Sequence, residues 1–214
     1  PTSDARPLTI QKLVIRDAAL IYDAEGADLV SYQGVDLTLD WPEMNGPARI
    51  DAALRPAGQV VKLAATIDQF SGFLEGSVQP VDLEIATNGG DLALKGRASL
   101  QGAIAGKMHL NTVDTSAFLN ALGAGAVDLP KGFGRSTDIK ADITMTPDRK
   151  LALRELVADL GGNTLRGAAD IELNGTPMIN AQLQAGALDF KSITGGGSGG
   201  SGTTAGAGWS KAPI

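Results

Sequence analysis

The chain of 214 residues has no cysteine and only one histidine, His109. The absence of cysteine excludes disulfide bonds, a thiolate nucleophile and zinc sites with cysteine ligands. A single histidine also excludes metal sites built on a histidine pair. Chains without cysteine occur in both the cytosol and the periplasm, so this absence does not separate the two compartments.

Basic residues are fewer than acidic ones, with 18 Lys and Arg against 24 Asp and Glu, which gives a net charge of −6. A nucleic-acid interface needs a basic face to displace counterions from phosphates, so we expect no nucleic-acid partner. The longest charge-free stretch, residues 192–210, is rich in glycine and serine rather than apolar, and no signal peptide is present. We therefore expect any membrane anchor to lie outside this sequence.

Aromatic residues make up only 4% of the chain, whereas it contains 28 glycines and 10 prolines. This composition predicts many turns and a core of Leu, Ile, Val and Ala. With 43% hydrophobic residues, the chain is too apolar to be disordered throughout. Its length predicts one large domain, or one domain with a small extension.

Alternation of apolar and polar residues is the dominant pattern. In residues 35–41 every second side chain is apolar, and the same alternation recurs at 49–55, 61–68, 81–85 and 139–145. Successive side chains of a strand point to opposite faces, so each stretch predicts a strand with one dry and one solvated face. We therefore predict a mainly β fold, a repetitive and mostly antiparallel curved sheet with two or three short helices.

Residues typical of turns and of helix caps predict where the strands are connected. The Asn-Gly pairs at 88–89 and 174–175 predict tight hairpins. Three short helices are predicted from residues able to cap a helix start: 117–122 after Thr115 or Ser116, 69–75 after Asp68, and 190–194 after Asp189.

An internal repeat links these elements as strand, glycine turn, strand and Asp-capped helical turn. Residues 94–102 resemble 165–175, residues 104–114 and 179–189 share their spacing, and a weaker copy begins at Gly46. Such a repeat favours an extended stacked sheet over a compact enzyme fold. A simple meander would also place Gly and Asp at its turns, and this alternative stays open.

Composition divides the chain into three parts. We assign residues 1–193 to a β-repeat domain, residues 194–207 to a Gly/Ser-rich linker, and residues 208–214 to the start of a following module. The linker composition cannot bury enough apolar surface to offset its ordering entropy.

Catalytic signatures are nearly absent. His109 alternates with apolar neighbours, which predicts a solvated strand position, and the Gly-x-Ser-x-Gly pattern at 196–200 lies in the flexible tract. The acidic pair Asp36 and Asp40 is typical of a wet sheet face. We expect no enzyme, catalytic residue, metal or cofactor; a hydrolase would require His109 to be buried beside an aspartate and a serine.

The dry face must be covered by something. Two sheets that cover each other would form a sandwich or a barrel. Alternatively, an open curved sheet could be covered by acyl chains, since burial of each methylene contributes about 0.8 kcal/mol. Composition leaves both alternatives open.

Several segments in this order resemble the AsmA family of bacterial envelope proteins. They are LVIRDAALIYD at 13–23, GVDLTL at 34–39, GP at 46–47, LKG at 94–96, LRG at 165–167 and GWSKAPI at 208–214. The resemblance covers most of the chain and consists of degenerate β repeats without a catalytic signature.

The resemblance implies a periplasmic β-sheet groove, open like a taco shell, that is tethered by one N-terminal inner-membrane helix in the full-length protein. AsmA-like proteins are similar to eukaryotic bridge-like lipid-transfer proteins and are linked to phospholipid transport and outer-membrane biogenesis. The sequence lacks the anchor and the C-terminal portion of that pattern. The implied partner is a phospholipid or another acyl lipid.

Strand phase selects the side chains expected to line the groove. They are Leu37, Leu39, Ile50, Leu63, Leu83, Ile85, Leu94, Ile143, Leu153, Ile171 and Leu183. A competing hypothesis is a structural envelope module that pairs with protein partners through its sheet edges and binds no lipid.

Overall fold

The computed structural model describes residues 10–22, 30–125, 135–174 and 178–186. The predicted helix at 190–194, the linker at 194–207 and the segment 208–214 lie outside these ranges. The described elements are β1 (Lys12–Tyr22), β2 (Val30–Asp40), β3 (Ala48–Leu54), β4 (Val61–Ile67), α1 (Phe70–Leu74), β5 (Gln79–Thr87), β6 (Gly90–Ala98), β7 (Ile104–Thr112), α2 (Thr115–Ala121), β8 (Thr137–Met145), β9 (Lys150–Leu160), β10 (Asn163–Glu172) and β11 (Met178–Ala185).

All eleven strands belong to one sheet, and each strand pairs antiparallel with the next strand along the chain. The two outer strands, β1 and β11, do not pair with each other, so the sheet is open. The predicted fold class, a mainly β antiparallel sheet with two short helices, is confirmed. The described part of the chain contains no second sheet, so it forms neither a sandwich nor a closed barrel.

A meander places its connections alternately at two ends of the sheet. We call the end where α1 joins β4 to β5 the α1 end, and the end where α2 joins β7 to β8 the α2 end. The tight hairpin predicted at 88–89 is present at the α2 end, between β5 and β6. The tight hairpin predicted at 174–175 lies between β10 and β11, and its Gly175 is outside the described residues.

Helix α2 begins earlier than predicted and has a different cap. The Asp114 carboxylate accepts a hydrogen bond of 2.9 Å from the amide of Ala117, whereas Thr115 is already helical. The prediction of Thr115 or Ser116 as the cap is therefore wrong. The Thr115 hydroxyl instead lies 2.6 Å from that of Thr112, a contact that ties α2 to β7.

Helix α1 has no side-chain cap. The residue before it is Gln69, which makes no capping hydrogen bond, so the predicted cap at Asp68 is wrong. Apolar packing holds the helix instead. Phe70 is buried, meets the Trp41 ring edge-on at a centroid distance of 5.1 Å, and stacks on Phe73 at 6.4 Å.

The predicted repeat has a counterpart in the element order. The elements β3–β4–α1 and β6–β7–α2 both follow the order strand, turn, strand, helix. Gly96 and Gly167, which occupy equivalent positions in the LKG and LRG copies, share a physical constraint. A Cβ atom would collide with the main-chain oxygen of Ala105 at Gly96 and with that of Gln182 at Gly167. In both copies glycine therefore stands where the neighbouring strand comes closest.

Candidate functional site

One face of the sheet carries an uninterrupted row of apolar side chains. Residues paired across neighbouring strands share a face, so the strand register follows the row directly. The row crosses all eleven strands through Ile15, Leu37, Ala52, Leu63, Ile85, Leu92, Leu110, Ile139, Ala158, Leu165 and Ala185.

A second row runs beside the first and reinforces it. It passes through Leu13, Leu39, Ile50, Ala65, Leu83, Leu94, Met108 and Ala141. We call the face that carries both rows the apolar wall. Because each row continues from strand to strand, the wall is one surface rather than a set of separate patches.

All eleven groove candidates from the sequence lie on the apolar wall. Seven of them belong to the two rows, and an eighth, Ile143, lies on the wall face of its strand. The remaining three are Leu153, Ile171 and Leu183, which the register aligns with Ile143, Leu151 and Gly167 respectively.

Several wall residues are not among the groove candidates, for two different reasons. Leu92 alternates in phase with the candidate Leu94 and Leu110 in phase with Met108, so both fit the pattern. Leu156 does not, because a β-bulge in β9 resets the alternation. Glu155 takes a positive φ of 49°, so Leu153 and Leu156 reach the same face although three positions separate them.

Burial varies along the wall. Leu94, Ala141, Ile143, Leu156 and Ala158 form a buried cluster, and Val35, Ala48, Val61 and Ile67 are also buried, whereas most other wall side chains are half-buried. Towards the outer strand β11 the exposed fraction rises to 45% at Leu183 and 67% at Ile179. No second sheet of described residues covers the wall, although Phe70 of α1 packs with Ala48 and Ile67 at its α1 end.

The two ends of the wall carry different clusters. At the α2 end the last wall positions of β7, β8 and β10 are polar and buried, namely Thr112, Thr137 and Asn163, whereas Leu54, Val61 and Leu160 are apolar. The Thr115 hydroxyl joins those of Thr112 and Thr137, at 2.6 Å and 2.8 Å. At the α1 end the wall finishes in the aromatic cluster around Phe70, where the indole nitrogen of Trp41 is buried without a hydrogen-bond partner among the described residues.

The opposite face is charged and solvated, and we call it the polar face. Ion pairs bridge neighbouring strands along one line: Asp82 with Lys95 at 3.1 Å, Lys107 with Asp142 at 2.9 Å, and Arg154 with Asp170 at 2.7 Å. The hydrogen bond from Lys107 to Asp142 raises the pKa of that ammonium. All six side chains are largely exposed, so these pairs contribute little to stability.

His109 lies on the polar face, as its alternation predicted. Its Nε2 atom is 3.0 Å from a carboxylate oxygen of Asp138, and 39% of the side chain is exposed. This hydrogen bond, supported by the charge of Lys140, lowers the pKa of Asp138. The histidine is not buried, whereas the hydrolase hypothesis required burial.

Two open depressions, of about 610 Å³ and 460 Å³, are found on the polar face and not on the wall. Ala53, Ala64 and Ala86 are short side chains that leave the first of them between longer charged neighbours. Leu37 and Leu63, whose side chains belong to the wall, also border it. The charges around it have both signs, which indicates no ion site. The described residues contain no cluster of three or more potential metal ligands.

No helix in the described ranges has the length and apolar character to cross a membrane. Comparisons of the chain with protein-family models, with curated proteins and with solved structures found no match. The chemistry of the wall and the pattern of the sequence are therefore the features that bear on function.

Proposed function

We propose that the apolar wall shields lipid acyl chains and that the protein is a periplasmic β-groove segment of an inner-membrane-anchored, AsmA-like protein. Its role would be phospholipid transport and outer-membrane biogenesis. The observation that carries this proposal is the apolar row that crosses all eleven strands of one open sheet, with no second sheet over it among the described residues.

The dimensions of the wall fit an acyl ligand. Neighbouring strands lie about 4.8 Å apart, so ten spacings give a row about 48 Å long. Full burial of a methylene contributes about 0.8 kcal/mol, and a chain resting on the wall has roughly half of its surface covered. Ten methylenes laid on the wall would therefore contribute about 4 kcal/mol, enough for reversible but not permanent binding.

The proposal includes no catalytic step and no cofactor. The ion pairs of the polar face, such as Lys107 with Asp142, are largely exposed. Exposed ion pairs of this kind are typical of a solvated sheet face. We propose that the protein acts by binding alone.

Purified protein is the starting material for the test. Native mass spectrometry should detect bound phospholipid, and a fluorescent fatty acid should bind to delipidated protein. Leu63→Asp should weaken probe binding at least tenfold, because it places a charge in the middle of the apolar row. Ala64→Asp is the matched control, since the next residue points to the polar face and is exposed.

Equal probe binding by both variants, or the absence of lipid and probe from the wild-type protein, would contradict the proposal. Ile143 is unsuitable for the same substitution, because it belongs to the buried cluster and a charge there would unfold the sheet.

A second candidate function is a module that pairs through its sheet edge with envelope proteins, and β11 favours it. This strand, MINAQLQA, is exposed at every position and carries no charge and no proline. Its pairing with β10 runs without a bulge. Edge strands usually carry charges, prolines or bulges that hinder pairing with another chain. β1 has such features in its register shifts and in Asp17, which takes a φ of 49°.

Light scattering after size-exclusion chromatography separates the two candidates. Edge pairing predicts association that rises with concentration and that Gln182→Lys reduces, because a charge on the edge strand opposes pairing. A protein that stays monomeric and carries lipid would contradict the second candidate.

A further inference from the structure

The two outer edges of the sheet differ in what they offer to another chain. β11 has no neighbour on its outer side among the described strands, and its side chains are exposed at every position. It carries neither charge nor proline. The other edge strand, β1, contains Lys12, Arg16 and Asp17, and two register shifts interrupt its pairing with β2. Of the two edges, β11 alone lacks the features that oppose the addition of a strand.

Hydrogen bonds on both sides of β10 determine which main-chain groups of β11 are free. The amide of Gly186 donates to the carbonyl of Thr164, which lies directly opposite in the register of β10 and β11. On the other side of β10 the amide of Leu173 donates to the carbonyl of Arg149. Because hydrogen-bonded pairs recur at every second residue of an antiparallel ladder, the even-numbered residues of β11 face β10. The main-chain groups of its odd-numbered residues, from 179 to 185, therefore face the open edge.

The residues with free main-chain groups also belong to the apolar wall. Ile179 pairs with Ile171 and Ala185 pairs with Leu165, so the odd-numbered side chains of β11 lie on the wall. An antiparallel partner must place its own edge-facing residues opposite these odd-numbered residues. A second β11 does so with wall residue against wall residue, and both faces of the sheet then continue from one copy into the other.

One register matches the exposed side chains of the two copies. With Ala181 on a two-fold axis, Ile179 of one copy lies opposite Leu183 of the other, and these are large apolar side chains with exposed fractions of 67% and 45%. On the polar face the amide side chains of Asn180 and Gln182 oppose each other. Three hydrogen-bonded pairs form across the axis, which gives about six main-chain hydrogen bonds at two for each pair.

Charges on the next strand favour the same register. Arg166 of β10 pairs with Gln184, and Glu172 pairs with Met178. The axis sets Gln184 of one copy opposite Met178 of the other. Arg166 of one copy and Glu172 of the other therefore stand in one row on either side of the joined strands, with opposite charges.

A second copy fits this edge better through its β11 than through its β1. β1 and β11 run parallel to each other, because both are odd-numbered strands of one antiparallel meander. Joining β1 of one copy to β11 of the next would give a parallel pair and would repeat without closing. It would also bring Lys12 and Arg16 to the contact. Pairing through β11 closes after two copies.

We propose that two copies of this chain pair β11 with β11 in antiparallel orientation, about a two-fold axis at Ala181, and form one open sheet with a continuous apolar wall. The pairing does not depend on lipid, whereas the use of the longer wall by acyl chains rests on the proposed function. The joined segments, residues 178–184, are about 24 Å long. This contact is smaller than a standard protein interface, so the dimer forms reversibly as concentration rises.

Cross-linking through a single cysteine tests the axis, because the chain has none of its own. Ala181→Cys places two thiols across the axis, where the Cα atoms of hydrogen-bonded partners lie about 5.5 Å apart. Ala185→Cys is the matched control, since it changes another exposed alanine of the same strand and face. Its two copies would lie about 27 Å apart along the joined strands. A thiol reagent with a one-carbon bridge should give at least tenfold more linked dimer with Ala181→Cys.

A charge beside the axis should prevent the pairing. Gln182→Lys, added to Ala181→Cys, places two ammoniums diagonally across the axis, about 8 Å apart, where they repel each other. The yield of linked dimer should fall at least fivefold. Light scattering of the wild-type protein should show a dimer at high concentration and no larger species.

Equal linking of both cysteine variants, no linking of Ala181→Cys, no effect of Gln182→Lys, or species larger than a dimer would overturn the proposal. Circular dichroism checks that the variants fold. If Ala181→Cys unfolds, a mixture of Ile179→Cys and Leu183→Cys proteins replaces it, because the register sets these positions opposite each other. If no dimer forms while the fluorescent fatty acid still binds, the proposed function stands without the pairing; linked dimers that bind no lipid would leave the pairing and remove the proposed function.

Discussion

A methyl group at Gly96 is the smallest change that tests how closely β6 and β7 approach each other. The added Cβ would lie 2.6 Å from the Cα of Gly106 and 2.9 Å from the carbonyl carbon of Ala105, and would collide with the Ala105 oxygen. All three obstacles are main-chain atoms, so no side chain can swing away. Relief requires the two strands to separate by about 1 Å, and overpacking of this kind costs roughly 1–3 kcal/mol.

Because the main chain itself must move, we expect Gly96→Ala to lower the free energy of unfolding by at least about 2 kcal/mol. Urea denaturation followed by circular dichroism measures the change. Gly186→Ala is the control, since nothing lies within 4 Å of a Cβ there, and its effect should be close to zero. A Gly96→Ala protein as stable as the control would refute the close approach of the strands.

Four further changes test other parts of the structure. Phe118→Ala should cost about 3–5 kcal/mol in urea denaturation, because this side chain is only 2% exposed under α2; a loss below 1 kcal/mol would contradict its core role. Asp114→Ala should cost about 1 kcal/mol through the lost cap, and an unchanged midpoint would argue against the cap. Glu155→Gly should be neutral or stabilising by up to about 1 kcal/mol, since glycine accepts the positive φ more readily; clear destabilisation would refute the bulge geometry. Because the pKa of Asp138 is lowered, its contribution to the free energy of unfolding is present above the ordinary aspartate pKa and is lost as the pH falls through the lowered value. Asp138→Asn should therefore make stability fall less steeply at acidic pH than it does in the wild-type protein. An identical fall in both proteins would contradict the His109 contact.

Much of the fold follows from period-two alternation, because a one-sided strand has a single way to bury its apolar side chains. Leu37 and Leu83 were placed on one face by this argument, and the register agrees. The alternation could not show that the strands stay in one sheet, since a sandwich demands the same pattern. That distinction depends on pairing between neighbours, which local sequence does not encode.

The errors have local causes. The cap of α2 was misplaced because three consecutive residues from Asp114 can all cap a helix, and only the tertiary contact of Thr115 with Thr112 and Thr137 selects the aspartate. The bulge at Glu155 was missed because nothing in its side chain favours a positive φ.

Photo-crosslinking tests the lipid proposal most directly. A phospholipid with a photoreactive group in its acyl chain is incubated with the protein, irradiated, and the modified residues are identified by mass spectrometry. Attachment should concentrate on half-buried wall side chains such as Leu37, Leu63 and Ile85. Attachment spread over the polar face around Lys95 and Lys107, or no attachment at all, would show that acyl chains do not cover this sheet.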